Sequence, residues 1–572
     1  MKHLSLLLFC YCCISFSMAQ HIEPMLVINT KMHTAKIKRL STDASGKVIL
    51  TCSDDKTARL WDAETGALLK TFHVQMDDGH EGQLYACALS PDGHTAALGG
   101  WTDFQGNKNY SIYLFDVSHN TLKKCLSNLP DRILDLEFSH NGHHLGAGFA
   151  GYTGVFIFQT NDWSMLKRIP YYGGDCNNIA FDKWGHFATV CEDGKIRTYD
   201  KNFEPIAEIK ATGGEPYSLS FSPEGNLLAV GYSDTAFVQV LNKTNLKQLF
   251  KPDIIGIQSY EQLSSVSFSY DGNDLLAGGT YALQDKKGYC QIRVWSQQGQ
   301  GTNKDVSASM NPMLDMKPMP DNSFIYCTAT EFGRINANGI RFYMNSSETN
   351  QYSNRSQFKI NDNATEIGIT PVGGNPLTFS VTGRFIKQEP FIGNGYMDRR
   401  DGFKITKWMN ATKLAPPSIN TETVHLLKHD ETNLSVDISS DAKQFIFGTD
   451  QTIYCTDVSG VKRWEAPIPG IAWSVIVSDN NRFVVAALDD GTIRWYSLEN
   501  GSLILSLFLH PDNKRWILWT PDGRFDCSPD ADKLIGWQLN QGPYKEALYY
   551  PSGEYYKNLY TPELGRLVLT GE

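Results

Sequence analysis

Four methionines have the spacing of a possible metal site. Met310, Met313, Met316 and Met319 recur at every third position, and their thioether sulfurs are soft ligands suited to Cu(I). The segment also aligns with the first strand of a repeated unit, where methionine fills gaps in a core. Since a three-residue period puts successive side chains on alternating faces of a strand, we expect core packing, with copper binding as the alternative.

Three imidazoles surround one turn. His140, His143 and His144 could hold a transition metal, but no carboxylate lies beside them in the sequence. Histidines in a turn are commonly solvated. We therefore expect surface histidines and no metal site here.

A carboxylate group near the end of the chain resembles the start of a Ca²⁺ loop. Asp526, Asp530 and Asp532 supply oxygens at suitable intervals, but Trp537 stands where the loop needs a bidentate glutamate. A calcium site is therefore not expected, and no bound metal or other cofactor is predicted for the chain.

Short catalytic motifs are absent or lack their required context. Gly146–Gly151 matches G-x-G-x-x-G, but a dinucleotide site needs a following helix, and Val155–Phe158 predicts another strand. Close strand packing is the favoured interpretation of these glycines. The sequence contains no Walker loop, G-x-S-x-G elbow or H-E-x-x-H motif, so a non-catalytic protein is predicted.

Composition narrows the class of protein. The chain has 572 residues, 52 Lys+Arg against 62 Asp+Glu, and a net charge of −10. That balance argues against nucleic-acid binding, which needs a basic face. A hydrophobic share of 41% excludes a disordered chain, and the length predicts more than one domain or a repeat array.

The first residues predict export. Lys2 precedes an apolar run over residues 4–16, and the small residues Ser17 and Ala19 flank a cleavage site before Gln20. We read residues 1–19 as a signal peptide, which places the protein in the periplasm or outside the cell. The run is shorter than the ~20 residues that span a bilayer, and no other stretch predicts a membrane span. Nine cysteines follow, without a C-x-x-C pair, so neither structural zinc nor a dense disulfide framework is predicted.

The elements that must position any site are short repeated strands. Apolar alternating runs are separated by tight turns that end in glycine, which suits hairpins: Ser90–Gly93, Ser139–Gly142, Ser222–Gly225, Ser269–Gly272 and Thr520–Gly523. Units of roughly 40–65 residues match the period of four-stranded propeller blades. Eleven units are recognisable. An all-β propeller fold is therefore predicted.

The first unit carries a family resemblance. Residues 54–62, Asp-Asp-Lys-Thr-Ala-Arg-Leu-Trp-Asp, preceded by His33, resemble a WD repeat. The resemblance implies a hydrogen-bonded tetrad of His33, Thr51, Asp55 and Trp61, with the indole covering a buried polar network. In several other units Trp is replaced by Phe or Tyr, at Phe115, Phe158, Tyr199 and Phe342.

Eleven blades exceed the ~4–8 of one ordinary ring, so two tandem propellers are predicted. We place the first over residues 20–343, the second over 344–510, and a Trp-rich closing segment with the tail over 511–572. Seven units fall in the first ring and four in the second. The missing blades lie either in the irregular stretch 344–433 or in an N-terminal strand near Leu26–Ile28 that completes a ring.

The closing segment has its own signature, Trp516, Trp519, Asp526 and Trp537. It resembles the segment that follows the repeats in bacterial proteins joining WD-repeat propellers to a caspase-like peptidase domain. No such domain follows in this sequence, and Cys527 has no histidine after it to serve as a base. The resemblance therefore implies a non-catalytic relative whose effector is lost or encoded separately.

The predicted function is that of an exported scaffold that binds other proteins through loops at the edges of its blades. The insertion Phe385–Asp401 is one candidate contact, with Phe391, Tyr396, Arg399 and Arg400, because Tyr and Arg are frequent in binding hot spots. An ordinary surface loop is the alternative for this insertion. Residues 452–464 also resemble a repeat of quinoprotein-type propellers, so a propeller enzyme or cofactor binder is the alternative function.

Overall fold

A computed structural model describes residues 24–571, except 104–105, 284–287, 351, 353, 430 and 543. Strands make up 48% of the structure and helices 4%, so the predicted all-β class is confirmed. Residues 1–19, the predicted signal peptide, lie outside the described residues. Within the described part of the chain, every helix is too short or too polar to cross a membrane.

Seven four-stranded antiparallel sheets, named blades 1 to 7, follow one another along residues 37–346. In each blade the strands pair in chain order. Their bounds are, for blade 1, Ile37–Thr42, Val48–Ser53, Thr57–Asp62 and Leu68–His73; blade 2, Gln83–Leu89, Thr95–Trp101, Tyr110–Asp116 and Thr121–Leu129; blade 3, Ile133–Phe138, His144–Phe149, Val155–Gln159 and Met165–Ile169; blade 4, Cys176–Phe181, Phe187–Cys191, Lys195–Tyr199 and Pro205–Lys210; blade 5, Pro216–Phe221, Leu227–Tyr232, Val238–Asn242 and Gln248–Phe250; blade 6, Ser265–Phe268, Leu275–Ala282, Cys290–Trp295 and Asn303–Ser309; blade 7, Asp315–Pro318, Ser323–Cys327, Glu331–Asn336 and Arg341–Ser346.

The turns between strands have the backbone that their glycines require. The last residues of the five repeated turns all lie in the left-handed region, with φ between 70° and 82°: Gly93, Gly142, Gly225, Gly272 and Gly523. A residue with a Cβ is strained there, so glycine fixes where each hairpin reverses.

The seven blades form a closed ring. The innermost strand of each blade contacts that of the next, and the innermost strands of blades 7 and 1 also contact each other. At the closure Asp315 of blade 7 accepts a hydrogen bond from the Leu40 backbone N–H of blade 1 at 3.1 Å. Trp61 packs on Phe332 across the same junction, with ring centroids 4.7 Å apart. Each blade therefore buries both faces against its neighbours, which a lone sheet of this size cannot do.

Five further sheets follow in the described part of the chain. We name them sheets 8 to 11 and the closing sheet. Their strands are, for sheet 8, Lys359–Ile360, Glu366–Ile369, Leu377–Ser380 and Phe385–Lys387; sheet 9, Arg399–Arg400, Phe403–Thr406, Ser418–Ile419 and Glu422–Thr423; sheet 10, Ala411–Thr412, Thr432–Ile438, Phe445–Thr449, Thr452–Thr456 and Lys462–Pro467; sheet 11, Ala472–Val477, Phe483–Leu488, Thr492–Ser497, Leu503–Leu509, Trp516–Trp519 and Phe525–Cys527; the closing sheet, Met25–Ile28, Ile535–Leu539 and Leu548–Pro551. Short helices occupy Gln297–Gly299, Arg355–Gln357, Ala531–Leu534, Ser552–Glu554, Tyr556–Leu559 and Leu564–Thr570.

Sheet 11 is the centre of this second half. Alternate residues of one strand face opposite ways: Val484 packs in the core shared with sheet 10, and Val485 in the core shared with sheet 8. Sheet 9 packs on the other face of sheet 10. The predicted boundary between residues 510 and 511 falls inside sheet 11, because Leu503–Leu509 pairs with Trp516–Trp519.

The sequence analysis places the missing blades either in the irregular stretch 344–433 or at an N-terminal strand that completes a ring. The structure contains sheets in that stretch and also a paired N-terminal strand. Sheets 8 and 9 lie within the irregular stretch 344–433. The N-terminal strand Met25–Ile28 pairs with Ile535–Leu539, with Leu26 opposite Trp537, so the start and end of the described chain share one sheet.

Candidate functional site

The predicted tetrad comes together inside blade 1. The Trp61 indole Nε1 donates to Thr51 Oγ1 at 2.8 Å, and Thr51 Oγ1 lies 2.8 Å from His33 Nε2. His33 Nδ1 lies 2.8 Å from Asp55 Oδ2. We therefore assign the proton of His33 to Nδ1, which donates to Asp55, while Nε2 accepts from the Thr51 hydroxyl.

Burial sets the charge of this network. His33 and Thr51 are fully buried, and burial lowers the pKa of His33 despite the opposing charge and hydrogen bond of Asp55. Burial raises the pKa of Asp55, but His33, Arg59 and Thr57 outweigh it and hold the net pKa of this carboxyl well below its usual range. The ionised aspartate, the neutral imidazole and the threonine hydroxyl form a buried hydrogen-bonded network that the Trp61 indole completes.

Blade 4 contains a similar hydrogen-bonded network in which two tyrosines replace the histidine and the tryptophan. The Tyr172 hydroxyl lies 2.8 Å from Thr189 Oγ1 and 3.1 Å from the Tyr199 hydroxyl. Tyr172 therefore takes the place that His33 has in blade 1, and Tyr199 takes the place of Trp61. The substitution explains why the sequence signature fades between blades while the fold persists.

The methionines do not form a copper site. Met313 and Met316 are buried in the core between blades 6 and 7, and Met319 is buried in the separate core between blades 7 and 1. Met310 is 63% exposed. Their sulfurs thus serve different packing clusters.

The other candidate ligands also stay apart. His140 and His143 are exposed, whereas His144 packs edge-on against Phe203 at 5.2 Å. Asp526 is buried and Asp530 is exposed. Among the described residues no group of three or more His, Cys, Asp or Glu side chains is placed to hold a metal ion.

The glycine motif and Cys527 have packing roles. Gly146 and Gly148 lie in the second strand of blade 3, close to Ile179 and Cys176 of blade 4, where a Cβ would meet side-chain atoms at 3.0 and 3.1 Å. Cys527 is buried, and burial raises its pKa to about 12, so its thiol is not a nucleophile near neutral pH.

The tryptophans of the closing segment are core residues. Trp516 packs on Phe379 with ring centroids 5.3 Å apart, and Trp537 packs edge-on against Phe525 at 5.5 Å. Trp519 lies in the same core as Trp537.

The fourth signature residue, Asp526, is buried and pairs with a partly exposed arginine. Its Oδ1 accepts from Arg384 Nη2 at 2.8 Å, and its Oδ2 accepts from the Glu563 backbone N–H at 3.0 Å. The signature therefore ties the tail and sheet 8 to sheet 11.

The insertion Phe385–Asp401 is only partly available to a partner. Tyr396 packs between the cores of sheets 8 and 9, 6.0 Å from the Trp408 ring, and Phe391 lies half-buried against Gly368. Arg400 is 19% exposed and lies 4.0 Å from Asp479, while Arg399 is exposed. Of the four predicted contact residues, the structure thus presents mainly Arg399.

The seven-bladed ring has two faces with different roles. One face carries the turns between first and second and between third and fourth strands. The other carries the turns between second and third strands and the links between blades. On this second face, blades 1 and 2 contact the rest of the chain: Gln83 Nε2 donates to the Pro469 carbonyl at 2.6 Å, and Arg494 Nη1 donates to the Asp78 carbonyl at 3.2 Å.

Over blades 3 to 6 the second face carries four apolar side chains that are at least 75% exposed. Tyr152 is 78% exposed, Tyr171 90%, Ile255 81% and Tyr260 75%. We call the surface that these four residues define the open sector.

Buried contacts hold the open sector in place. Tyr171 adjoins the anchored Tyr172 and has a positive φ of 73°, which turns its ring away from the core. In the link between blades 5 and 6, Arg293 Nη1 donates to the Ile255 carbonyl at 2.8 Å, and Trp295 Nε1 donates to the Asp253 carbonyl at 2.7 Å. Buried contacts therefore fix the backbone at Ile255 and beside Tyr171.

Three carboxylates lie in the loops of the open sector between its apolar side chains: Asp175, Glu192 and Glu215. Glu192 of blade 4 lies between Asp175 and Glu215, which belong to the flanking links. Burial, followed by the repulsion of Asp175 and by that of Glu215, raises the pKa of Glu192, while the Asp175 backbone N–H and the His429 side chain lower it in part. The carboxylates are therefore close enough to repel one another, and a positive group would relieve that repulsion.

Sequence reasoning missed the open sector because its residues belong to loops of unlike length. A weak signal was present: Tyr152 follows Gly151, and Tyr171 and Tyr172 precede Gly173 and Gly174. Large aromatic residues beside glycine in a link are candidates for exposed contacts.

Comparison with known proteins supports the repeat family. Residues 25–62 match the family WD domain, G-beta repeat. The chain is 24% identical over 243 residues to Pre-mRNA-processing factor 19 homolog 2 of Arabidopsis thaliana, covering 39% of this chain and 41% of that protein.

Two further relatives cover similar shares. The p21-activated protein kinase-interacting protein 1-like of Danio rerio is 26% identical over 214 residues, 35% of this chain and 55% of its own length. WD repeat and SOCS box-containing protein 1 of Xenopus tropicalis is 27% identical over 226 residues, 36% of this chain and 50% of its own. The chain thus spans about half the length of these relatives. Together with the ring of four-stranded blades, the matches support a WD-repeat propeller.

Proposed function

We propose that this protein is a non-catalytic scaffold that binds a partner protein through the open sector. One observation carries the proposal: Tyr152, Tyr171, Ile255 and Tyr260 are each at least 75% exposed on one face of a rigid ring. Large apolar side chains held on fixed backbone bind at little entropic cost.

The chemistry of the partner follows from the acidic residues between these side chains. Asp175, Glu192 and Glu215 favour Lys or Arg on the approaching surface. The proposed partner surface therefore combines basic residues with apolar pockets that receive the tyrosine rings. Eukaryotic relatives with WD repeats support the general role of protein binding, and one is named for interaction with a kinase.

The test is capture of partners from an extract of the native cells by the full chain. The variant Tyr171→Ser with Tyr260→Ser is compared with Tyr270→Ser, whose ring is 49% exposed on the opposite face. The open-sector variant is expected to bind any captured protein at least about tenfold more weakly, a loss of about 1.4 kcal/mol. The control is expected to bind normally. Equal capture by both variants would contradict the proposal.

Export from the cell is part of the same proposal, supported by the pattern of residues 1–19. Protein isolated from its native cells is expected to begin at Gln20 in N-terminal sequencing and to occur outside the cytoplasm. A chain that retains Met1 would refute this part alone.

A caspase-like peptidase system is the proposed setting, supported by the resemblance of the closing segment. A captured partner that contains such a peptidase, or that belongs to its complex, is the expected result. Partners without any link to a peptidase would remove this element and leave the scaffold role.

A further inference from the structure

Arg59 is a buried cation with incomplete partners. It lies on the third strand of blade 1 and is 2% exposed. Its Nη2 lies 3.9 Å from Asp55 Oδ2, and its Nε donates to Thr57 Oγ1 at a long 3.4 Å. Nη1 has no hydrogen-bond partner among the described residues. Burial lowers the pKa of Arg59, as expected of a charge that its surroundings compensate only in part.

The same repeat position in other blades shows what is missing. Arg197 and Arg293 also stand two residues before the aromatic that ends the third strand. Arg197 Nε donates to Glu208 at 2.8 Å and its Nη1 to Asp193 at 3.2 Å. Arg293 binds both oxygens of Asp305, at 2.8 and 2.9 Å. Arg59 lacks a carboxylate at hydrogen-bonding distance, as does Arg494 at the same position of sheet 11, where Asp490 Oδ2 lies 3.6 Å away.

The carboxylate nearest to Arg59 already has other hydrogen-bond donors. Asp55 stands four residues before Arg59, as Asp193 does before Arg197. In blade 1, however, both Asp55 oxygens are already engaged, Oδ2 by His33 and Oδ1 by Thr57 at 2.6 Å. A buried guanidinium without a matching anion is costly, so a second carboxylate would be stabilising at this point.

A cavity of about 110 Å³ adjoins Arg59, between blade 1, sheet 11 and the closing sheet. Tyr549 lines it, stacked on His73 with ring centroids 4.5 Å apart. Asn29 Nδ2 donates to the Tyr549 hydroxyl at 2.9 Å, which leaves the phenol proton available to a ligand.

Five aspartates and three cations line the cavity. Asp77 and Asp78 are exposed at its mouth. Asp54 Oδ2 pairs with Lys38, whereas Asp54 Oδ1 is buried without a hydrogen-bond partner among the described residues. Asp55 pairs with His33, and Asp490 with Arg494 and Thr492. Lys56 and Arg494 also line the cavity, where Lys56 pairs with Asp77 and Arg494 with Asp490.

We propose that this cavity binds a small carboxylate, with Arg59 as its counter-ion and Tyr549 as a second donor. A guanidinium binds a carboxylate through two parallel N–H donors, which is the arrangement that Arg293 already has with Asp305. Because its lining comes from blade 1, sheet 11 and the closing sheet, a bound carboxylate joins the first ring to the rest of the chain. The site is independent of the open sector.

Acetate is the probe, added to the full chain at constant ionic strength in place of chloride. The midpoint of thermal unfolding is expected to rise with acetate concentration in the wild type, because a ligand that binds only the folded state stabilises it. Arg59→Met is expected to remove the rise. Arg197→Met, the matched position in blade 4, is expected to lower the midpoint but keep the rise.

Tyr549→Phe gives a second variant that keeps the ring stacked on His73 and removes only the donor. In isothermal titration it is expected to bind acetate at least about fivefold more weakly than the wild type. The proposal is overturned if acetate has no effect on the wild type, if chloride has the same effect, or if Arg59→Met still responds.

Discussion

Replacing Trp61 by alanine tests how blade 1 is held in the ring. Trp61 is 2% exposed, packs on Phe332 of blade 7 and donates its indole N–H to Thr51 Oγ1. The substitution therefore removes packing inside the blade and at the junction that closes the ring. It also removes the only donor that the side chain offers to the tetrad.

The expected cost can be worked from these contacts. Truncating a buried tryptophan to alanine costs about 3–5 kcal/mol when the surroundings cannot collapse. Loss of the hydrogen bond to Thr51 adds about 1 kcal/mol, since that hydroxyl still bonds His33. We expect a total loss of about 4–6 kcal/mol in the free energy of unfolding.

Denaturant unfolding of the full chain, followed by intrinsic fluorescence and circular dichroism, measures this loss. Trp184→Ala is the matched control, because its ring is 62% exposed and its loss is expected to change the free energy of unfolding by less than about 0.5 kcal/mol. Equal midpoints for Trp61→Ala and the wild type would refute the structural role of the tetrad.

Three further predictions concern buried charges and thiols. Burial raises the pKa of Asp437 to about 7, so between about pH 4 and pH 7 the folded state keeps this proton while the unfolded state loses it. The free energy of unfolding is therefore expected to fall as the pH rises through that range. In thermal melts the variant Asp437→Asn is expected to show a weaker dependence of the midpoint on pH. In the folded protein Cys527 is expected to resist alkylation by iodoacetamide at pH 8, and in the denatured protein it is expected to react. Mass spectrometry of the peptide that contains Cys527 measures this labelling. Rapid labelling of the folded protein would contradict the burial of the thiol. Arg384→Met leaves the buried Asp526 without its ion-pair partner. Because Arg384 is 32% exposed, the expected cost in denaturant unfolding is about 1–3 kcal/mol, most of it recovered in the double variant with Asp526→Asn. An unrecovered loss would assign the effect to packing of Arg384 instead.

The sequence predicted the blades because strand pairing is local. Each hairpin is specified by alternating apolar residues and a turn glycine, and these signals lie within one unit of the chain. The tetrad residues were predictable for the same reason, since His33, Thr51, Asp55 and Trp61 stand within 29 residues of one another.

What depends on contacts between distant parts of the chain could not be predicted. The resemblance of the Trp-rich segment did not reveal that Asp526 pairs with Arg384, 142 residues away. Nor could it reveal that the insertion around Tyr396 folds back between two sheets. The open sector and the cavity at Arg59 likewise exist only after the ring closes and the closing sheet lies beside blade 1.

Hydrogen–deuterium exchange of the full chain, with and without a captured partner, tests the central claim most directly. Binding is expected to slow exchange in the loops that carry Tyr152, Tyr171 and Tyr260, and to leave the turns on the opposite face, including that of Tyr270, unchanged. Protection confined to the opposite face, or to the insertion around Arg399, would contradict binding through the open sector.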